Sequence, residues 1–191
     1  SKDRISGSLG DAMPVMIVGA GEAGAYAVNV CNKNPRKLGK PVILVAATGK
    51  PVILEYAAKH AKAILESWFS GEEGGHAVAD ILFGDVCPTG KLPITFPRSM
   101  EQLPLYYNYH MSGRKYDYLD QTSVPRYRFG YGLSYSTFAY SDLRAAQEGA
   151  NVKVTATVRN TGAVETDEVA QLYITDMLTS VSTPVTQLKG F

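Results

Sequence analysis

Apolar positions fall in short blocks along this chain. Residues 13–18 (MPVMIV) and 41–47 (PVILVAA) are unbroken apolar runs of strand length, the pattern of strands covered on both faces. Residues 62–69 (KAILESWF) read as a third, mostly buried strand and lead into a glycine-rich bend at 70–75. Ser70 with Glu73 three positions on fits a capping box, which predicts that a helix begins here. Ala77, Val78, Ile81 and Leu82 follow at helical spacing, and Gly84 is placed to end the helix. Pro88-Thr89-Gly90 reads as a turn, and residues 91–96 as a short extended exit held by Pro93 and Pro97. Strand, bend, helix, turn and exit make one unit of an α/β layer. Ahead of it, residues 52–55 read as a short strand and 56–61 as a helical turn.

The pattern changes after residue 105. Residues 106–140 carry nine of the chain's twelve tyrosines among glycines, with little apolar periodicity. From 151 to 158 Val152, Val154, Ala156 and Val158 alternate with Lys153, Thr155 and Thr157, which predicts a half-buried strand. Asn160-Thr161-Gly162 supplies turn chemistry, and 169–174 gives a second strand. The expected fold class is therefore α/β plus β, a partial layer of parallel strands followed by β-structure. The expected organisation is a flexible lead-in at 1–12, an α/β domain at 13–105, a Tyr/Gly-rich connection at 106–140 and a β-domain at 141–191.

Composition narrows the function classes. The 191 residues have 45% hydrophobic and 19% charged content and a net charge of +1, as an ordinary globular protein does. Without a basic run there is no reason to expect a nucleic-acid partner. No apolar stretch approaches the ~18 residues of a membrane span, so no membrane partner is expected either. The polar opening lacks a secretory h-region. Cys31 and Cys87 read as free buried thiols, and two cysteines leave the compartment open.

Residues 19–24 (GAGEAG) are a GxGxxG loop after a strand and before a helix, the context of a dinucleotide fingerprint. Residues 14–43 resemble the nucleotide-binding segment of polysaccharide-biosynthesis epimerases and dehydratases. The fingerprint also needs an acid about 20 residues on, and residues 46–48 are Ala-Ala-Thr, so the ribose handle is missing and a structural glycine turn is the better reading. The bend at 70–75 has the place of a ligand loop, yet Glu72 and Glu73 would repel a phosphate and instead complement the helix dipole. The tyrosines of 106–140 either pack between domains or form a sugar-stacking wall, packing being the simpler reading; His110, Arg114 and Tyr116 are polar residues beside such a wall.

The long stretch 68–99 (WFSGEEGGHAVADILFGDVCPTGKLPITFPRS) resembles the signature of family 3 glycoside hydrolases, which include β-glucosidases and β-xylosidases. The resemblance continues through 102–107 (QLPLYY), 128–138 (RFGYGLSYSTF), 158–162 (VRNTG), 168–173 (EVAQLY) and the segments 183–185 and 188–191. These blocks stand in the family's order over residues 40–191. The resemblance implies a C-terminal part of a retaining β-glycosidase acting on β-glucosides or related oligosaccharides. It also implies an α/β sandwich domain, a fibronectin type III-like β-sandwich, and an N-terminal TIM barrel as partner, which would carry the nucleophilic Asp.

In many members a longer acidic loop ahead of the 39–42 position supplies the general acid/base. Here that loop is absent and Glu22 is the only carboxylate near its place. This suggests that two unrelated coding stretches meet near 39–42, giving 13–40 a foreign origin. Retaining chemistry needs two carboxylates about 5–5.5 Å apart. Glu72 and Glu73 sit at a helix start, Asp80 on the helix and Asp85 at its end; Asp117, Asp120 and Glu168 fall on expected solvated loops or strand ends. His60, His76 and His110 lie far apart, and there is neither GxSxG nor a Cys-His arrangement. The sequence thus assigns no catalytic residue, no cofactor-binding residue and no metal ligand, and no cofactor is expected. The chain alone is expected to be inactive. A sandwich needs about seven strands, so 141–191 is expected to leave an open edge and to be poorly soluble or partly ordered. A nucleotide-binding module and a non-catalytic scaffold that docks a barrel or a glycan are the alternative readings.

Overall fold

Three of the apolar runs become the strands of a parallel sheet. The computed structural model describes residues 15–19, 41–111 and 120–191. Strand β1 is Val15–Gly19, β2 Val42–Ala46 and β3 Ala63–Glu66, in the order β1-β2-β3. Val15 pairs with Val42 and Gly19 with Ala46 on one side of β2; Ile43 pairs with Ala63 and Ala46 with Glu66 on the other. As the central strand, β2 is buried at Val42, Leu44, Val45 and Ala46. Its unbroken apolar sequence follows from that position.

Two compact units are present; of the described residues the first holds 15–19, 41–78, 95–105 and 120–127 and the second 79–94, 106–111 and 128–191. In the first unit the link from β2 to β3 runs through helix α1, Glu55–His60. The expected strand at 52–55 is not formed: Val52 and Leu54 are buried in irregular backbone, and Glu55 opens α1. These residues are apolar because they join the core with Ala57, rather than because they pair in a sheet.

Phe96, 1% exposed, closes this core. Its backbone forms a bridge pair with Tyr127, and its ring centroid lies 5.8 Å from that of Trp68. Gln102, 4% exposed, holds the same two segments together. Its Oε1 accepts from Arg98 N at 2.6 Å, and its Nε2 donates to the carbonyls of Thr122 (2.8 Å) and Val124 (3.3 Å). Beside them the Glu55 carboxylate is met by Lys59 Nζ at 2.9 Å, Arg98 Nη1 at 3.2 Å and Arg126 Nη1 at 3.8 Å. Burial pushes the Glu55 carboxyl up, but the Lys59 hydrogen bond and the charges of Arg126, Lys59 and Arg98 outweigh it and leave it below the usual glutamate value.

Helix α2, Gly74–Phe83, holds the apolar positions read at helical spacing but starts at Gly74, after the bend, rather than from a Ser70 cap, and the boundary between the units falls within it. The capping box does not form as expected: Glu73 Oε2 meets His76 Nδ1 at 2.7 Å instead of reaching back to Ser70. At the other end Gly84 has φ 87°, and the Gly84 and Asp85 amides both return to the Asp80 carbonyl. The left-handed glycine therefore terminates α2 as the sequence predicts.

The second unit is built of two antiparallel pairs. Strand β4, Phe138–Glu148, pairs with β5, Asn151–Asn160, and β6, Leu172–Ile174, with β7, Gln187–Gly190. Gly149, φ 63°, makes the tight connection of the first pair, and the register shifts between Ser141 and Arg144 beside Asp142, φ 53°. The expectation of a half-buried β5 is corrected: of its residues only Val154 is even partly covered, and Val152 is 64% exposed. Alternation produced the strand, but its apolar face is left largely open. The second expected strand is shorter than 169–174, and its partner is β7. Within this unit the Tyr107 ring stacks on Phe129 at 4.1 Å and meets Tyr173 edge-on at 6.2 Å, so these rings pack on one another. Cys87 is a free thiol, partly rather than fully covered.

Candidate functional site

Ligand sites of open parallel sheets lie outside the carboxyl ends of the strands, and the carboxyl ends of β2 and β3 carry the most unusual chemistry of the first unit. The chain leaves β2 through Ala46, Ala47, Thr48 and Gly49, and leaves β3 through Glu66, Ser67, Trp68 and Phe69. Ser67 ties the two exits together, its amide and Oγ both donating to the Ala46 carbonyl at 2.8 and 3.2 Å. Glu66 ties them a second time. Its Oε1 accepts from Thr48 Oγ1 at 2.9 Å and from the Trp68 amide at 3.2 Å.

The other carboxyl oxygen, Oε2, is shut off from solvent and has no hydrogen-bond partner among the described residues. Burial pushes the Glu66 carboxyl above the usual glutamate value, against the pull of the Thr48 hydroxyl and of the Trp68 and Thr48 amides. A buried polar atom without a partner is uncommon in native structures and calls for a cause. Next to it Trp68 has φ 51°, a left-handed conformation that is an outlier for a bulky residue. That turn directs Phe69 outward. Phe69 is 83% exposed, and one edge of its ring lies close over Gly49, where a Cβ would collide with ring carbons.

The sequence had no acid at the end of β2, where a nucleotide fold holds ribose. The structure places the carboxyl of this edge on the neighbouring strand, as Glu66, facing Thr48. Sequence reasoning passed over Glu66 as one polar position inside an apolar run. Its signal was its register: it is the last residue of β3 and pairs with the last residue of β2.

The other residues singled out from sequence are scattered. The loop 20–24, Glu22, Cys31, Arg114, Tyr116 and Asp117 lie outside the described residues. Glu72, Glu73, Asp85 and Asp120 are exposed, and Asp80 is partly covered on α2. Exposed His110 lies in the second unit, its Nδ1 3.1 Å from Ser182 Oγ. Glu168 corrects the expectation of a solvated position. It is 15% exposed, accepts from Lys91 Nζ at 3.3 Å and from Tyr140 Oη at 3.0 Å, and serves as the acceptor of a covered ion pair. Among the described residues no cluster of His, Cys, Asp and Glu could hold a metal ion, and no helix is long and apolar enough to cross a membrane.

Cys87 in the second unit has a polar setting. Its Sγ accepts from the Tyr135 amide at 3.2 Å and lies 3.2 Å from Ser134 Oγ. Burial alone would push the thiol up. Hydrogen bonds from Ser134, Thr166 and the Tyr135 and Ser136 amides outweigh it and hold the thiol below its ordinary value.

Comparison with known proteins gives this geometry a family setting. The glycosyl hydrolase family 3 C-terminal domain matches residues 25–135. Its start at residue 25 falls within the segment 14–43, where a nucleotide-binding resemblance was expected from sequence and finds no support. The chain is 47% identical over 167 residues to the periplasmic beta-glucosidase of Salmonella typhimurium, covering 80% of this chain and 22% of that protein. It is 42% identical over 164 residues to a beta-xylosidase of Formosa agariphila, with 81% and 22% covered. The structure of the beta-glucosidase of Listeria innocua in complex with glucose superposes with a TM-score of 0.81 at 31% identity, over 93% of this chain and 28% of that one. The chain thus spans about a fifth of the length of the curated relatives it matches.

Proposed function

The chain belongs to glycosyl hydrolase family 3, and from that membership we propose that it serves a retaining β-glycosidase that releases terminal sugars from β-glucosides or related oligosaccharides. The observation that carries this reading is the match over residues 25–135 together with 47% identity to a named beta-glucosidase. In this reading the parallel sheet with α1 and α2 belongs to the family's α/β sandwich, within residues 13–105. Strands β4 to β7 belong to a fibronectin type III-like sandwich within 141–191. Residues 106–140 connect the two, and an N-terminal TIM barrel is the partner that supplies the nucleophilic carboxylate.

A retaining mechanism needs a nucleophile and an acid/base on opposite sides of one glycosidic bond. Among the described residues Glu66 has Thr48 and Trp68 as hydrogen-bond partners, with no second carboxylate among them, so no catalytic role is proposed for it. The 191-residue chain by itself is expected to leave an aryl β-glucoside intact. Co-expression with a family 3 barrel domain is expected to restore its hydrolysis. Failure to restore any hydrolysis, with both parts folded and associated, would overturn the enzymatic reading in favour of a non-catalytic scaffold.

A further inference from the structure

Phe69, 83% exposed, stands on a stretch of backbone that the fold fixes closely. One edge of its ring lies over Gly49, where a side chain would strike Cε2 and Cζ. One carboxyl oxygen, Glu66 Oε1, holds the residue preceding each member of this contact: Thr48, before Gly49, at 2.9 Å, and Trp68, before Phe69, at 3.2 Å. Trp68 adopts its left-handed backbone at φ 51° in the same place. Strain of this kind persists where the surroundings over-determine a geometry, and it clusters at binding sites. The ring is otherwise open at the carboxyl edge of a parallel sheet, where such sheets bind ligands.

We propose that Phe69 is a stacking platform for a neutral pyranose ring, seated on Gly49, with Glu66 as its positioning residue. The apolar C–H face of a sugar matches an open aromatic face, and the identity of the ligand as a sugar rests on the β-glycosidase reading above. No charged ligand is required: the carboxyl that organises the platform already has both its Oε1 contacts within the protein. Glu66 acts by fixing the two main-chain segments and does not itself touch the sugar.

The test uses the 191-residue chain and methyl β-D-glucopyranoside, with saturation-transfer NMR reading which sugar protons approach the protein. Saturation is expected on the ring C–H protons of one sugar face. Phe69→Ala, at an exposed position, is expected to keep the wild-type melting curve and to weaken the sugar by about tenfold, the equivalent of 1.4 kcal/mol. Gly49→Ala, which displaces the ring without changing its chemistry, is expected to weaken it as well. Glu66→Gln keeps an oxygen acceptor and is expected to bind as wild type, whereas Glu66→Ala loses severalfold. Absence of saturation in the wild type, or an undiminished signal in Phe69→Ala, overturns the platform. So does self-association that Phe69→Ala abolishes in a protein that binds no sugar, because the ring would then serve a second copy. Sugar binding without hydrolysis in the reconstituted enzyme would defeat the proposed activity and leave the platform standing; hydrolysis without this binding would do the reverse.

Discussion

At the scale of the residue, Glu66 couples the first unit to pH. Its carboxyl has a higher proton affinity in the folded chain than in the unfolded one because burial disfavours its charge. Between the ordinary glutamate value and the raised folded value, the folded state therefore holds more protons than the unfolded state. Stability falls as pH rises through that window and stays lower above it. The wild-type melting temperature is expected to decline over this range toward neutrality. Glu66→Gln keeps the acceptor for Thr48 and Trp68 and carries no charge, so it is expected to lack that decline and to melt higher at neutral pH. Parallel pH profiles in thermal melts, with no difference between the two proteins, would rule this out.

Cys87 makes the opposite case among single residues, an ionisable group whose charged form is favoured by its donors. Ser134→Ala removes the hydroxyl 3.2 Å from the sulfur. With Cys31 replaced by serine in both proteins, this variant is expected to show a higher thiol pKa and slower alkylation by iodoacetamide near neutral pH. The midpoint of alkylation rate against pH checks it, since a midpoint shared by the two proteins would mean that Ser134 does not stabilise the thiolate.

At the scale of the element, the central strand and the segment after α2 carry the core of the first unit. Phe96 is among the largest fully buried side chains, so Phe96→Ala is expected to cost about 3–5 kcal/mol, the usual range for emptying such a site. Phe96→Leu, which preserves much of the volume, is expected to cost distinctly less, and urea unfolding measures both. The same elements show what a sequence can disclose. The run 41–47 announced β2 because a central parallel strand is apolar throughout, and Gly84 announced the end of α2 because only a left-handed residue closes it there. Val52 and Leu54 misled because a short apolar run does not distinguish a strand from irregular core backbone. Strand β5 was legible in its alternation, while its exposure was not, since exposure depends on what is packed against it.

At the scale of the whole molecule, the family emerged from long blocks such as 68–99 and 128–138, whose length makes chance resemblance improbable. The chemistry of the β2–β3 edge was far less legible. Thr48, Glu66 and Trp68 are ordinary in sequence, and their relation arises only when parallel pairing brings the ends of two strands together. Phe69 and Gly49 are 20 residues apart, and the sequence gives neither a reason to seek the other. What the family resemblance supplied was a proposed reaction; what folding supplied was the juxtaposition of Gly49, Glu66, Trp68 and Phe69 on which the proposed platform rests.

Trp68 is the single tryptophan of the chain and sits at that edge within the first unit. Its indole emission is therefore an optical tag for one half of the molecule, blind to the β-strand pairs of the other. An unfolding curve followed by indole emission, set against one followed by far-ultraviolet circular dichroism, separates the two halves without any label. Coincident curves mean a single cooperative transition, and separated curves give the stability of the parallel sheet on its own.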